Sequence, residues 1–199
     1  MKIFSAGCFS FLIISLTVIS SGCNNHDNNS GKVQIAETET VQQFDAGEKP
    51  YDKEAERLAV KYSQKAAIAQ AQMKRGIDFA RANGIDKLIE ILKNPDDPRR
   101  SSFVSGDYYI WIIKTDYKSR AVIAVHPINK AITDRDFFGI KDASGKLFIH
   151  DIIRVMSYRG KGWTTYKWAH PRLKKAMDKL TYSERFDDYV LNDGFYLKD

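Results

Sequence analysis

The chain has 199 residues, of which 43% are hydrophobic and 12% aromatic, and it carries a formal net charge of +6. This length and composition allow one globular domain with its own core. No second long apolar run follows the N-terminal one, which excludes a membrane protein with several spans, and the scattered Lys and Arg residues argue against a nucleic-acid partner.

The first residues have the layout of an export signal. Lys2 precedes an uncharged stretch over residues 3–22, whose apolar centre is Phe9–Leu16. A short positive region, an apolar region and small residues in this order are typical of a signal peptide. We therefore expect the chain to leave the cytoplasm.

The end of this stretch resembles the lipobox of bacterial lipoproteins, because small residues stand directly before Cys23. Ser20 departs from the motif, which usually has Leu there. The resemblance implies a lipoprotein signal peptide over residues 1–22, lipidation of Cys23, and anchoring on the periplasmic side of the cell envelope. Asn24 favours the outer membrane in an organism that has one. The alternatives are an uncleaved signal anchor and an ordinary signal cut near Gly22.

Residues 23–50 differ in composition from the rest of the chain. Residues 24–50 carry a net charge of −3 and few bulky apolar side chains, whereas residues 51–199 carry a net charge of +8. A segment that buries so little apolar surface cannot offset the entropy of ordering, so we predict a flexible tether. The basic remainder favours an anionic small ligand or an acidic envelope surface, although most of its charges also fit a solvated face.

The first part of the domain has the periodicity of helices. Apolar residues recur at three- and four-residue steps and predict one long helix over Asp52–Ala82, which Asn83-Gly84 would end. A short helix follows and ends before the cluster at Asn94–Pro98. Its inner residues are predicted to be Ile85, Leu88, Ile89 and Leu92.

Most of the remaining chain has the character of strands. Tyr108–Ile113 is β-branched and aromatic, which predicts a central strand, and a turn at Asp116–Ser119 pairs it with Ala121–Val125. A helix near Phe148–Met156 is predicted to end at Gly160 and Gly162. Three further strands are expected over Trp163–Trp168, Lys179–Glu184 and Tyr189–Leu197. The result is an α+β layout with about five antiparallel strands and a long N-terminal helix.

Several short motifs occur along the chain in a fixed order. They are Ala82–Gly84, Phe103–Ile110, His126-Pro127 with Asn129, Gly139 before Asp142–Phe148, Gly160–Trp168 with Pro171, Lys179 and Tyr182, and Gly194–Tyr196. In order and spacing these motifs resemble the single Cache extracellular sensor domains of bacterial chemoreceptors and kinases. Two features depart from that pattern: the turn glycine between the first two strands is replaced around Ser119-Arg120, and the hairpin at Arg172–Met177 is more basic.

The resemblance covers about residues 55–197 and implies a PAS-like fold, in which the long helix packs behind a curved antiparallel sheet and a small pocket lies in front. It also implies that residues 51–199 form a domain that binds small organic acids, amino acids or similar metabolites.

The candidate ligand-binding residues combine strand alternation with this resemblance. In the strand after Gly162, Thr164, Tyr166 and Trp168 face one way and Trp163 the other, and Tyr109 shares a face with Trp111. Aromatic side chains with polar handles suit a small-ligand pocket, but plain core packing is the competing interpretation for Trp111 and Trp163. The predicted ligand-binding residues are Tyr109, His126, Tyr166, Lys179 and Trp163.

Two of these residues carry charge or protons. His126 ends a strand before Pro127, and at a pKa of about 6.5 it would make binding sensitive to pH. Lys179 could contribute about 1.5–3 kcal/mol through a charge-assisted hydrogen bond to a carboxylate, unless it is one more solvated lysine.

The sequence offers little for catalysis. It has no Gly-x-Ser-x-Gly motif, no cysteine would remain free after Cys23 is acylated, and His126, His150 and His170 lack metal-ligand spacing. We therefore predict no enzyme, no catalytic residue, no metal and no cofactor.

The leading hypothesis is an extracytoplasmic ligand-binding or sensor module for a small anionic metabolite such as a short-chain carboxylate. Because the chain ends at Asp199, we expect it to lack a transmembrane output and to act through a signalling protein partner or as a simple binding protein. The alternative is a structural or partner-docking envelope lipoprotein that keeps the fold without a ligand.

Overall fold

The computed structural model describes residues 52–197. The predicted signal peptide, the lipidation site at Cys23 and the tether over residues 23–50 lie outside the described residues. Within the described part, no helix is long and apolar enough to cross a membrane.

The N-terminal helical segment consists of two helices rather than the single one predicted. Helix α1 is Lys53–Lys61 and helix α2 is Ser63–Asn83. The break lies at Tyr62, whose φ of −106° and ψ of 40° leave the helical region, and whose ring packs edge-on against Phe195. The predicted start is confirmed, because the Asp52 carboxylate caps α1 by accepting a hydrogen bond from the backbone N–H of Ala55.

The predicted apolar stripe of these helices packs against the sheet, and the predicted stop at Gly84 is confirmed. Gly84 has a φ of 87°, a conformation that glycine adopts without steric cost. Helix α3 is Ile85–Lys93, and it buries Ile91 fully where the prediction had Ile89, which is only partly buried.

A short hairpin precedes the main sheet. After a 3₁₀ turn at Pro98–Ser102, strand β1 (Val104–Ser105) pairs with strand β2 (Tyr108–Tyr109). The chain interrupts its strand pairing at Ile110, so the continuous strand predicted over Tyr108–Ile113 is divided between this hairpin and the main sheet.

The main sheet has the five antiparallel strands that the sequence predicts. They are β3 (Trp111–Thr115), β4 (Ala121–Val125), β5 (Lys161–Ala169), β6 (Ala176–Phe186) and β7 (Tyr189–Tyr196). Their spatial order is β4-β3-β7-β6-β5. Strand β3 is interior, but the middle of the sheet is β7, the last strand of the chain.

Strand β7 reaches this position despite polar residues in its sequence. Asn192 is fully buried and accepts a hydrogen bond from Ser183 Oγ at 2.7 Å. Gly194 is required by close packing, because a Cβ atom there would lie 2.3 Å from the carbonyl oxygen of Leu180. The strand is thus buried through paired polar groups and a close backbone approach rather than through apolar side chains alone.

The turn between β3 and β4 lacks the glycine of the family pattern and is held by an aspartate side chain. The Asp116 carboxylate accepts hydrogen bonds from the backbone N–H groups of Lys118, Ser119 and Arg120. Tyr117 takes the left-handed conformation with a φ of 58°. The tight turn is therefore stabilised by a side chain.

Helix α4 (Phe148–Arg159) precedes β5 and ends, as predicted, at Gly160, which is left-handed with a φ of 71°. Gly162 does not end the helix, since it already belongs to β5.

The sheet separates two apolar cores. One core joins α1, α2 and α3 to one face and includes Trp163, Leu180 and Phe195. The other joins α4 and the β4–α4 connection to the opposite face and includes Tyr109, Trp111 and Tyr166. This second face holds the candidate site.

Candidate ligand-binding site

A small cavity lies within the second core, between the sheet and α4. Its free volume is about 10 Å³, enough for about one water molecule, so a larger guest requires its side chains to move apart. The lining residues are Trp111, Ile123, His126, Ile132, Phe137, Phe148, Tyr166, Trp168 and Lys179.

Lys179 places an ammonium group in this cavity. It projects from β6, is 1% exposed, and donates a hydrogen bond to the Tyr109 hydroxyl at 2.7 Å. Its Nζ lies 4.0 Å from the ring centroid of Tyr109 and 5.3 Å from that of Tyr196. Within residues 52–197 it forms no ion pair with a carboxylate. A buried charge whose direct contacts are all neutral is costly, and an anion in the cavity would reduce that cost.

His126 follows β4 and is also buried. Its Nδ1 accepts a hydrogen bond from the backbone N–H of Asn129 at 3.0 Å, so the neutral ring carries its proton on Nε2. Burial, assisted by the charge of Lys179, lowers the pKa of His126 to about 3. The pKa therefore does not stay near 6.5, and the ring is a neutral hydrogen-bond donor at neutral pH.

Trp111 is a third donor at the cavity, and it was not among the predicted ligand-binding residues. Its indole Nε1 is buried and has no hydrogen-bond partner in the described part of the chain. Its ring centroid lies 6.1 Å from that of His126. A buried N–H without an acceptor costs about 1–3 kcal/mol, which a ligand oxygen could recover.

The rest of the lining is apolar. Phe148 of α4 stacks on Tyr166 of β5 with ring centroids 4.4 Å apart, and it also contacts Trp168. The Tyr166 hydroxyl accepts a hydrogen bond from Thr181 Oγ1 at 3.0 Å, and burial raises the pKa of Tyr166 to about 12. Tyr166 is thus an uncharged lining residue, and its hydroxyl already has Thr181 as a hydrogen-bond partner.

The structure brings together four of the five predicted residues. His126, Tyr166 and Lys179 line the cavity, and Tyr109 joins them through its contact with Lys179. Trp163 lies on the opposite face of the sheet, where its ring centroid is 5.0 Å from that of Tyr182. The alternation of β5 that directs Tyr166 and Trp168 into the cavity directs Trp163 into the helix-side core.

Trp168 and Phe148 are lining residues that the site prediction missed. The alternation of β5 already placed Trp168 with Tyr166, so that signal was available in the sequence. No pattern indicated that Phe148 of α4 would face the same space. The described residues contain no group of three or more His, Cys, Asp or Glu side chains that could hold a metal ion.

Comparison with known proteins gives one family and several related folds. Residues 54–199 match the profile of the family described as single Cache domain 2. A periplasmic sensor domain of a chemotaxis protein superposes with a TM-score of 0.55 at 20% identity, covering 71% of this chain and 98% of its own.

Two further solved structures share the fold. A methyl-accepting chemotaxis protein from Vibrio parahaemolyticus has a TM-score of 0.55 at 22% identity, covering 73% of this chain and 95% of its own. A Cache chemosensory domain, whose structure is described as a basis for carboxylic acid recognition, has a TM-score of 0.54 at 18% identity. That match covers 74% of this chain and 100% of the other. At these identities the similarity establishes the fold.

Proposed function

We propose, from the premise that this chain belongs to the single Cache domain 2 family, that it is a sensor module whose cavity binds a short-chain carboxylate. Domains of this fold serve as chemosensory modules, and one related Cache domain is described as recognising carboxylic acids. The proposal for this chain rests on its own residues.

The observation that carries it is the buried ammonium of Lys179, which has no carboxylate partner within the described residues. Two further donors line the same cavity. His126 is a neutral N–H donor, and Trp111 has an indole N–H without a hydrogen-bond partner in the described part of the chain. Three donors around one apolar space form a site for a group with several acceptor oxygens and a negative charge, and a carboxylate is the smallest organic group of that kind.

The apolar lining residues restrict which group can be attached to the carboxylate of the ligand. Ile123, Ile132 and Phe137 offer apolar contact and no second cation. A second carboxylate on the ligand would be buried there without a partner, at a cost of several kcal/mol. We therefore favour a monocarboxylate with a short apolar tail of one to three carbons, which the small free volume also favours.

The N-terminal sequence supports a proposal for where the protein acts. We infer export, lipidation at Cys23 and attachment to the periplasmic side of the envelope, with the outer membrane favoured in an organism that has one. A signalling protein partner would then respond to the ligand-bound domain. Partner capture with and without a bound carboxylate tests this part, and a partner set that is unchanged by ligand contradicts it.

A second candidate function is a structural or partner-docking lipoprotein that keeps the fold without a ligand. The observation that favours it is the cavity volume of about 10 Å³, since aromatic side chains fill most of the space. In that case Lys179 would only anchor Tyr109 within the core.

A thermal-shift screen separates these two functions. A carboxylate at 100 times its dissociation constant stabilises the fold by about 2.7 kcal/mol, or about 5–10 °C in melting temperature. We expect C2–C4 monocarboxylates to produce this shift in wild type and in the control Lys175→Met, which changes an exposed lysine, but not in Lys179→Met. If no carboxylate shifts the wild-type protein, the structural role replaces the sensor role.

A further inference from the structure

Asp193 is a buried carboxylic acid outside the cavity. It lies on β7, is fully buried, and accepts hydrogen bonds through Oδ1 from the backbone N–H groups of Tyr109 at 3.0 Å and Gly194 at 2.7 Å. Its Oδ2 is buried and has no hydrogen-bond partner in the described part of the chain. An ionised carboxylate in such a place normally accepts hydrogen bonds at both oxygens, so the missing donor at Oδ2 disfavours the ionised form of Asp193.

The charged groups around Asp193 come from the elements packed on β7. Lys179 of β6 and Arg75 of α2 act on it as cations. Tyr182 of β6 pairs with it in register, and Tyr109 of β2 donates its backbone N–H. Burial raises the pKa of both tyrosine hydroxyls to about 12, so they are neutral at pH 7. Of the two cations only Lys179 is buried, and it also lines the cavity.

We propose that Asp193 is a proton-binding site coupled to the cavity through Lys179, so that the protein takes up a proton together with an anionic ligand. The coupling rests on the proposed function, because it needs an anion beside Lys179.

The coupling follows from the placement of the two groups. Burial raises the pKa of Asp193 to about 7, against the opposing effects of Lys179, the two backbone N–H donors and Arg75. In the ligand-free protein, ionised Asp193 and Lys179 partly offset each other's charge inside the domain. A bound carboxylate offsets Lys179 instead, which removes attraction from Asp193 and favours its protonated form.

Reciprocity fixes the sign of the effect. If the ligand raises the pKa of Asp193, then protonation of Asp193 tightens ligand binding by the same factor. Contact with an opposite charge typically moves a pKa by about 1–3 units, and Asp193 and Lys179 form no direct ion pair, so we take the lower end. The dissociation constant should therefore rise about sevenfold between pH 6 and pH 8.5, with about half a proton taken up per ligand near pH 7.5.

His126 is the other group that could take up a proton, because an anion beside it would raise its low pKa. Two variants distinguish the sources. Asp193→Asn keeps an acceptor oxygen for the backbone N–H groups and imitates the protonated acid, whereas His126→Gln removes the imidazole and keeps an N–H donor.

The experiment is isothermal titration of the purified protein with propionate from pH 6 to pH 8.5, in buffers of different ionisation enthalpy. Propionate is ionised over this range. We expect wild type to show the about sevenfold loss of affinity and the proton uptake, and Asp193→Asn to bind at every pH as tightly as wild type does at pH 6. Proton uptake that persists in Asp193→Asn and disappears in His126→Gln overturns the proposal.

A ligand-free measurement separates this inference from the proposed function. The raised pKa of Asp193 means that its ionisation destabilises the fold, so stability should fall in wild type relative to Asp193→Asn as the pH rises from about 4 to about 7. Melting temperatures of both proteins without ligand test this. If no carboxylate binds at any pH, the proposed function and the coupling both fail, while the melting comparison still decides whether Asp193 binds a proton near pH 7.

Discussion

The substitution Lys179→Met separates the role of this residue in binding from its role in folding. Methionine has a similar length and no charge, so it keeps the packing of the side chain beside Tyr109 and Tyr196 and removes the ammonium group. The two roles predict different results for stability and for affinity.

The expected effect on affinity is large. A hydrogen bond between a charged donor and a carboxylate contributes about 1.5–3 kcal/mol, which is about a ten- to 150-fold change in the dissociation constant. The expected effect on the ligand-free fold is small or favourable. The substitution loses the 2.7 Å bond to Tyr109 and the contact with its ring, about 2–4 kcal/mol, but it also removes the burial cost of an unpaired ammonium, which is several kcal/mol.

The assay measures both quantities on the same preparations. Urea unfolding gives the free energy of unfolding without ligand, and calorimetric titration with propionate gives the dissociation constant. Lys175→Met is the matched control, because it changes an exposed lysine in the turn before β6. We expect the control to match wild type in both measurements.

Lys179 does not bind the anion if Lys179→Met loses several kcal/mol of unfolding free energy while its affinity for propionate equals that of wild type. Lys179 would then be a structural residue that holds Tyr109, and the anion site would lie elsewhere.

Other substitutions test the remaining parts of the site. Trp111→Phe keeps an aromatic ring but loses the unpaired N–H and part of the indole packing, so propionate affinity should fall about tenfold, measured by titration. In urea unfolding, the free energy of unfolding should fall by less than the loss of about 3–5 kcal/mol that a Trp→Ala change causes, because relief of the buried N–H partly offsets the lost packing. Trp163→Ala should cost about 3–5 kcal/mol of unfolding free energy, because this ring is core on the opposite face, and a loss of affinity without that destabilisation would contradict its placement. The lowered pKa of His126 means that its neutral ring stabilises the fold above pH 6.5, and this contribution is lost as the pH falls towards about 3. The stability difference between wild type and His126→Gln should therefore change by about 1.4 kcal/mol per pH unit in that window, and an unchanged difference in urea unfolding at pH 6 and pH 4.5 would refute it.

The fold could be predicted largely because its local patterns agree with its packing. The stripe from Leu58 to Ala80 faces one core, and the alternation of β5 divides Trp163 from Tyr166 as the sequence indicates. The break at Tyr62 could not be foreseen, since no Pro or Gly marks it. Strand β7 was also hard to place in the middle of the sheet, because its burial depends on long-range partners for Asn192 and Asp193.

The site could be predicted only in part. The position of Lys179 and His126 followed from the resemblance to the family, but burial decides their chemistry, and burial is a property of the packed chain. The depressed pKa of His126 and the unpaired donor of Trp111 arise from contacts between residues far apart in sequence. The small free volume likewise depends on how Phe148 of α4 packs against β5.

The most direct test of the account uses the indole N–H signals of the three tryptophans in a ¹⁵N–¹H NMR titration with propionate. Phenylalanine substitutions assign the signals one by one. A carboxylate bound beside Lys179 should accept a hydrogen bond from Trp111 and move its signal downfield, should move that of Trp168 less, and should leave that of Trp163 in place. A saturating titration that moves the signal of Trp163 and leaves that of Trp111 unchanged, or one in which no indole signal responds, would contradict the proposal that this cavity is a carboxylate site.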